Sequence, residues 1–143
     1  MAVKQISIFV ENKKGALAKV LGDLASKGVG LRAMTIADTG DFGILRIIVD
    51  DNEAAAEALR AEETVFSVTD VIACQAADVP GGFAHVLGIL MDAGINIEYT
   101  YAFVIKTGEE ACAIIRVDDV GAGEKVLTDN GVPLITQDEV LRI

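Results

Sequence analysis

The sequence predicts an α+β protein made of two copies of one small unit, because a long segment of the chain repeats. When residues 15–32 are shifted by 66 positions they fall on residues 81–98, and three glycines of each segment coincide. Apolar residues spaced i, i+3, i+4 and i+7 recur at the same places in both, which is typical of one buried helix face. A repeat of this length indicates that a whole folding unit has been duplicated.

The first copy is predicted to alternate strands and helices. Its strands are residues 4–10, 31–37, 42–49 and 65–68, and its helices are residues 15–27 and 53–61. Gly28 can take the left-handed conformation that ends the first helix, and the turn signal at residues 38–41 separates two strands that should pair. Asp50 and Asp51 offer N-cap oxygens to the second helix. The order β-α-β-β-α-β is that of the ferredoxin-like, or split βαβ, arrangement.

The second copy is predicted to repeat this order. Its strands are residues 71–76, 95–104, 111–117 and 134–136, its helices are residues 82–93 and 124–128, and a turn falls at residues 106–109. Arg46 is matched with Arg116 at an offset of 70, which indicates that the intervening strands or hairpin gained four residues in this copy.

The two copies are predicted to follow each other without a linker. A turn near Thr69 and Asp70 passes straight into the next strand, with no run of Pro, Gly or Ser. We therefore expect domains of residues 1–69 and 70–143 that are held close together. Residues 137–143 lie outside the repeated order and are predicted to form either a short helical turn or an added strand.

Charge and motif content argue against several classes of function. The chain has 143 residues and a formal net charge of −10. This charge argues against binding to nucleic acid or to anionic membranes, because Lys and Arg must neutralise phosphates. The apolar start is too short and too alternating for a signal peptide, so we expect a cytoplasmic protein. The sequence shows no activated nucleophile, nucleotide fingerprint or metal cluster, so we expect neither catalysis nor a cofactor.

Several single residues are predicted to have structural roles. Cys74 and Cys112 are matched with Ile8 and Phe42 of the first copy, so both thiols are expected to be buried as small hydrophobes. His85 has no second ligand at metal spacing, so a surface or boundary position is favoured over catalysis. The paired aspartates after the third strand of each copy are interpreted as helix caps rather than a metal site.

Two further pairs of residues leave alternatives open. Arg46 and Arg116 lie on apolar strands, where they could block aggregation at a sheet edge or make a contact between the copies. Tyr99 and Tyr101 share one face of a strand, and either pack there or line a ligand.

The turn between the first strand and the first helix of each copy is the strongest candidate site. Backbone N–H groups at a helix start are unpaired and carry the positive end of the helix dipole, so they favour an anion. Small residues leave the approach open there, namely Gly15 and Ala16 in the first copy and Gly81 and Gly82 in the second. The alternative is that glycine merely permits a tight turn.

The same loops carry a resemblance to a known family. The segments DVPGGF at residues 78–83 and AGINI at residues 93–97 resemble the ACT domain, a small-molecule-sensing module attached to many enzymes of amino-acid metabolism. The first copy departs from that pattern at residues 12–15, which lack the Pro, and at residues 27–31, which lack the second-strand Asn. Both copies match over essentially their whole length, so the chain is similar to free-standing tandem ACT proteins without a catalytic domain.

The resemblance implies two ferredoxin-like domains packed side by side into a continuous antiparallel sheet with the helices on one face. It also implies that an amino acid binds between the first loop of one domain and the second strand of the other. The first such site would join Asn12, Lys13, Gly15, Ala16 and Leu17 to Asn96, Ile97 and Glu98. The mirrored site would join Asp78, Gly81, Gly82 and Phe83 to Gly30, Leu31 and Arg32.

The first of these two sites is expected to bind more tightly. Helix amides and a lysine can hold the carboxylate of a zwitterion there, and the carbonyls of Asn12 and Asn96 can accept from its ammonium group. We therefore expect a homodimeric regulatory protein that binds a free amino acid and does no catalysis, with an enzyme of amino-acid metabolism as a further partner. The alternative is a protein-interaction scaffold that regulates such an enzyme and has no ligand of its own.

Overall fold

The computed structural model describes residues 2–38, 40–104 and 110–142 of the chain. Contacts within the chain define two compact units, one of Lys4–Thr69 and the other of Asp70–Ile143 with Met1–Val3. Within the described ranges, no helix combines the length and the apolar character needed to cross a membrane.

The first unit has the predicted ferredoxin-like order. Its elements are β1 (Val3–Glu11), α1 (Ala16–Ser26), β2 (Leu31–Asp38), β3 (Phe42–Val49), α2 (Asn52–Ala61) and the first residues of β4 (Phe66–Ala77). β3 lies between β1 and β2 and is antiparallel to both, so that Ile47 stands opposite Ile6 on one side and Met34 on the other. The N–H of Phe9 in β1 donates to the carbonyl of Val65, just before β4, at 3.0 Å.

The second unit repeats this order. Its elements are the rest of β4, α3 (Gly82–Asp92), β5 (Ile97–Val104), β6 (Glu110–Val117), α4 (Val120–Asp129) and α5 (Gln137–Leu141). β6 lies between β4 and β5, and its Ile115 stands opposite Ile72 and Thr100. The predicted α+β class with two ferredoxin-like units is confirmed. The side-by-side packing of the two units stays a prediction, and the turn predicted at residues 106–109 lies outside the described residues.

Each unit has its own core between its helices and one face of its strands. Alternate strand residues point to the same face, so every second residue of a strand can contact the helices. In the first unit the buried core comprises Ile6, Ile8, Val10, Val20, Leu24, Val29, Leu45, Ile47, Val49, Ala55, Ala58 and Leu59. In the second unit it comprises Ile72, Cys74, Ala76, Val86, Leu90, Ala113, Ile115, Val117, Leu127 and Val132.

One continuous strand, β4, replaces the two strands and the turn that the sequence predicts near Thr69 and Asp70. β4 runs without interruption from Phe66 to Ala77. The prediction of a turn was wrong because no Gly or Pro breaks the segment, while Val68, Thr69 and Val71 all favour extended backbone.

The second copy has a hairpin longer by two residues, not by four. Leu31 stands opposite Val49 in the first unit, and its counterpart Ile97 stands opposite Val117 in the second. Val49 therefore corresponds to Val117, an offset of 68 instead of 70. The sequence match failed because it aligned two arginines by residue type, whereas the sheet aligns residues by their pairing.

Arg116 consequently takes the place of Ile48 and is not the counterpart of Arg46. Both arginines lie on the central strands β3 and β6, so their interpretation as edge charges was wrong. Arg116 Nε donates to Glu98 Oε2 at 3.0 Å, and a terminal nitrogen donates to the carbonyl of Asp70 at 2.8 Å. These contacts fix its side chain within the second unit.

The two cysteines are buried, as predicted. Cys74 takes the place of Ile8 in the core, whereas the corrected offset matches Cys112 with Ile44 instead of Phe42. Burial raises the pKa of each thiol to about 12, and the neighbouring Cys74 adds to the effect at Cys112. Both are free thiols, and the raised pKa keeps them protonated and unreactive at neutral pH.

The end of the second copy is more helical than predicted. The strand expected at residues 134–136 is reduced to a single bridge between Leu134 and Cys74. The following residues form α5, whose start is a capping box: Thr136 accepts from the N–H of Glu139, and the Glu139 carboxylate accepts from the N–H of Thr136. These bonds hold the pKa of Glu139 below its usual value.

Asp51 and Asp119 cap the second helix of each unit, as predicted. Asp51 Oδ1 accepts from the N–H of Ala54 and Asp119 Oδ1 accepts from that of Ala122, each at 3.0 Å. We expect Asp51→Ala and Asp119→Ala each to cost about 1 kcal/mol of stability, measured by urea unfolding. Asp→Asn at the same positions keeps an acceptor and serves as the control. An unfolding midpoint unchanged by alanine would show that the caps do not contribute.

Candidate functional site

The first helix of each unit begins in the same way. Gly15 has φ 85° and Gly81 has φ 83°, and each is the N-cap residue of its helix. This left-handed conformation is strained for residues with a side chain, so glycine is required for the turn itself. Glycine also carries no side chain that could accept from the first-turn N–H groups. The N–H of Ala16 and that of Gly82 already donate to the carbonyls of Lys13 and Val79, so an anion would bind the N–H groups that follow them.

A pocket of about 270 Å³ lies beside the start of α1 in the first unit. It is bordered by the loop after β1, by the end of β2 and by the start of β3. The lining residues are Val10, Glu11, Asn12, Lys13, Leu17, Ile36, Asp38, Phe42 and Gly43. The pocket therefore combines apolar walls with several polar and charged groups, as small-molecule sites generally do.

Hydrogen bonds join the two sides of this pocket. Asn12 Nδ2 donates to the carbonyl of Gly40 at 2.8 Å, and the N–H of Asn12 donates to the carbonyl of Asp41 at 2.9 Å. On the hairpin itself, Asp38 Oδ1 accepts from the N–H of Gly40 at 2.7 Å. The loop after β1 and the hairpin between β2 and β3 are thus held together, so the pocket is formed before a ligand enters.

Charges of both signs stand around the pocket. Lys13 Nζ lies 2.7 Å from Glu11 Oε2, and their side chains are 69% and 56% exposed. An ion pair this exposed contributes little stability, so an incoming carboxylate can compete for the lysine. Asp38 offers a carboxylate on the opposite side, at the end of β2.

The structure therefore brings together Asn12, Lys13 and Leu17 of the predicted site, with Gly15 and Ala16 at the adjoining helix start. The sequence analysis missed Ile36, Asp38, Phe42 and Gly43. Alternation along β2 places the first two on one face, but only the register of the hairpin shows that this face meets the loop after β1.

Asn96 and Ile97, the other half of the predicted first site, line a groove of about 640 Å³ within the second unit. The remaining lining residues are Ala84, Leu87, Gly88, Met91, Gly94 and Ile95. The backbone of Asn96 is held in place by Asp118, whose Oδ1 accepts its N–H at 3.2 Å. The Glu98 carboxylate forms an ion pair with Arg116.

The half of the predicted mirrored site that lies in the second unit does not form one pocket, because its residues lie in different surroundings. Gly81 and Gly82 line a cavity of about 390 Å³, which His85 also borders from an exposed position on α3. Phe83 packs against the buried core, and Asp78 is exposed and does not line this cavity.

The residues of the other half of the mirrored site make structural contacts within the first unit. Leu31 packs against the core, and Arg32 Nη2 lies 3.9 Å from Asp50 Oδ2. The N–H of Gly30 donates to Asp50 Oδ1 at 2.8 Å, and a Cβ at Gly30 would come within 2.6 Å of Asp50 Oδ2. A Gly30→Ala variant would therefore disturb this contact.

Comparisons with known proteins agree with this architecture. A family model described as an ACT domain pair matches residues 1–143. The crystal structure of protein BT0572 from Bacteroides thetaiotaomicron has 38% sequence identity and a TM-score of 0.93, covering 100% of this chain and 98% of that one. The ligand-free regulatory subunit of aspartate kinase from Thermus thermophilus has 20% identity and a TM-score of 0.64, covering 88% and 91% of the two chains. No curated protein matches the chain.

Proposed function

Because the chain belongs to the family of ACT domain pairs, we propose that it is a regulatory protein that senses a free amino acid and catalyses no reaction. The observation that carries this proposal is the pocket beside α1, where apolar walls meet charges of both signs. A free amino acid needs that combination, because its two charged groups and its side chain must all find partners.

The pocket offers a partner for each end of a zwitterion. The carboxylate of the ligand would lie at the start of α1, where the helix dipole and Lys13 favour negative charge. The ammonium group would donate to the Asp38 carboxylate and to the side-chain carbonyl of Asn12, whose NH₂ group already bonds Gly40. This arrangement extends the predicted role of Asn12 and Lys13, and it adds Asp38.

The contribution of the second unit stays a prediction. The family resemblance implies that Asn96 belongs to this site, where its side-chain carbonyl would accept from the ammonium group. Its counterpart Gly30 has no side chain with which to do so. A homodimer and an enzyme of amino-acid metabolism as partner are likewise proposals. The fold shared with a regulatory subunit of aspartate kinase supports a regulatory role in general terms.

Exposed apolar residues support the alternative function of an interaction scaffold. Phe9 is 56% exposed and Val65 is 66% exposed, and the backbones of these two residues are hydrogen-bonded to each other. On β4 nearby, Val68 is 51% exposed. Exposed apolar surface of this kind can bind another protein, so a scaffold without a ligand remains the competing hypothesis.

Thermal unfolding with each of the common amino acids separates the two functions. We expect at least one of them to raise the melting temperature, because a ligand at one hundred times its Kd adds about 2.7 kcal/mol. Its N-acetyl amide, which has neither charge, serves as the control and should have no effect. Asn96→Ala should weaken the response if the second unit contributes. If no amino acid shifts the melting temperature at millimolar concentration, the sensor function is wrong and the scaffold function is favoured.

A further inference from the structure

We propose that the pocket beside α1 selects an amino acid with an uncharged aliphatic side chain. This inference rests on the proposed function, since it names the class of ligand that the same pocket prefers. Three properties of the pocket support it: the apolar residues of its wall, the commitment of its charged groups, and its size.

The wall of the pocket includes two large apolar residues that stay about half exposed, Ile36 and Phe42. Ile36 faces the same side of the sheet as the buried Leu45, which stands opposite it, yet its side chain remains 46% exposed. Val10 and Leu17 border the same space from β1 and α1. A ligand with an aliphatic side chain would bury Ile36, and burial of apolar surface on both partners favours binding.

The charged groups around the pocket disfavour a ligand with a charged side chain. Glu11 and Asp38 would repel an acidic side chain, because Lys13 is needed for the α-carboxylate of the ligand and does not offset a second negative charge. A basic side chain would have to leave water beside the apolar wall, while the Asp38 carboxylate is needed for the α-ammonium group of the ligand and Glu11 lies beside the positive charge of Lys13. A charge that loses its hydration without gaining a partner is costly.

The size of the pocket limits the ligand further. About 270 Å³ is close to the lower bound of roughly 300 Å³ that is typical of drug-sized ligands. Gly43 is part of the reason for this shape, because a Cβ there would come within 3.2 Å of Ile36 Cδ1 and displace that side chain. The space therefore suits a ligand of the size of one amino acid, whose side chain would lie against Ile36.

Isothermal titration calorimetry with L-leucine, L-valine, L-alanine, L-aspartate and L-lysine tests the proposal on the full-length protein. We expect leucine or valine to bind about tenfold or more tightly than aspartate and lysine. Ile36→Ala should raise the Kd of the preferred ligand about tenfold, because it removes methyl and methylene contacts from an apolar wall. Met34→Ala is the matched control: Met34 lies on the same strand and face, is 43% exposed, and does not line the pocket.

The outcomes distinguish this inference from the proposed function. Tightest binding of aspartate or lysine would overturn the aliphatic selectivity and leave the sensor function standing. Equal effects of Ile36→Ala and Met34→Ala would show that the pocket wall does not contact the side chain of the ligand, which also overturns the inference. If none of the amino acids binds, the proposed function itself fails, and the inference fails with it. Circular dichroism melting of both variants identifies any loss of fold.

Discussion

Replacing Gly82 by alanine is expected to destabilise the protein by about 3 kcal/mol, near the upper end for single substitutions. A Cβ at this first position of α3 would overlap the backbone carbonyl of Ala77, which cannot move aside as a flexible side chain can. Urea unfolding followed by circular dichroism measures the effect. Gly88→Ala is the matched control, since its Cβ meets open space and alanine in a helix interior gains up to about 1 kcal/mol.

The first copy carries alanine at the position that corresponds to Gly82. This residue, Ala16, is the first of α1, and its N–H donates to the carbonyl of Lys13 at 3.2 Å. In the second copy the N–H of Gly82 donates to the carbonyl of Val79 at 3.0 Å, and the backbone of Ala77 occupies the space that a Cβ would need. If Gly82→Ala leaves stability unchanged, the loop after β4 can adopt the conformation of the first copy, and the overlap does not constrain the sequence.

Truncation of the matched core residues Leu59 and Leu127 is expected to cost about 2–5 kcal/mol in each case. Both side chains are fully buried at equivalent places of α2 and α4, and each packs in the core of its own unit. Leu→Ala at either position removes buried methyl groups and leaves a cavity. Chemical unfolding of the single variants measures the losses.

Met91→Ala is the control for these truncations. Met91 is 69% exposed on α3, so its replacement should change stability by less than about 0.5 kcal/mol. If Leu59→Ala or Leu127→Ala were as mild as this control, the corresponding core would not be packed as the structure has it.

The helices could be predicted from the sequence because their signals are local. The apolar spacing along α1 and α3, together with a glycine before and after each helix, recurs in both copies. The length of β4 and the true hairpin offset were not predictable, since both depend on pairing between strands. Arg116 illustrates the failure: residue type matched it with Arg46, whereas pairing places it at the position of Ile48.

The candidate site was predictable only in part, for the same reason. Asn12, Lys13 and Leu17 belong to one short loop and helix start, so a sequence motif identifies them. Ile36 and Asp38 join them only through the register of β2 and β3, which is a property of the folded sheet. Some residues predicted from the family pattern instead make contacts within their own unit. Glu98, for example, forms an ion pair with Arg116.

Occupancy of the pocket beside α1 by a free amino acid is measured most directly by NMR mapping of binding. Backbone amide and methyl spectra would be recorded with and without the amino acid that stabilises the protein most. We expect the largest shifts on the amides of residues 12–17 and on the methyl groups of Ile36. Shifts confined to the groove around Asn96, or to the exposed residues Phe9 and Val65, would contradict it.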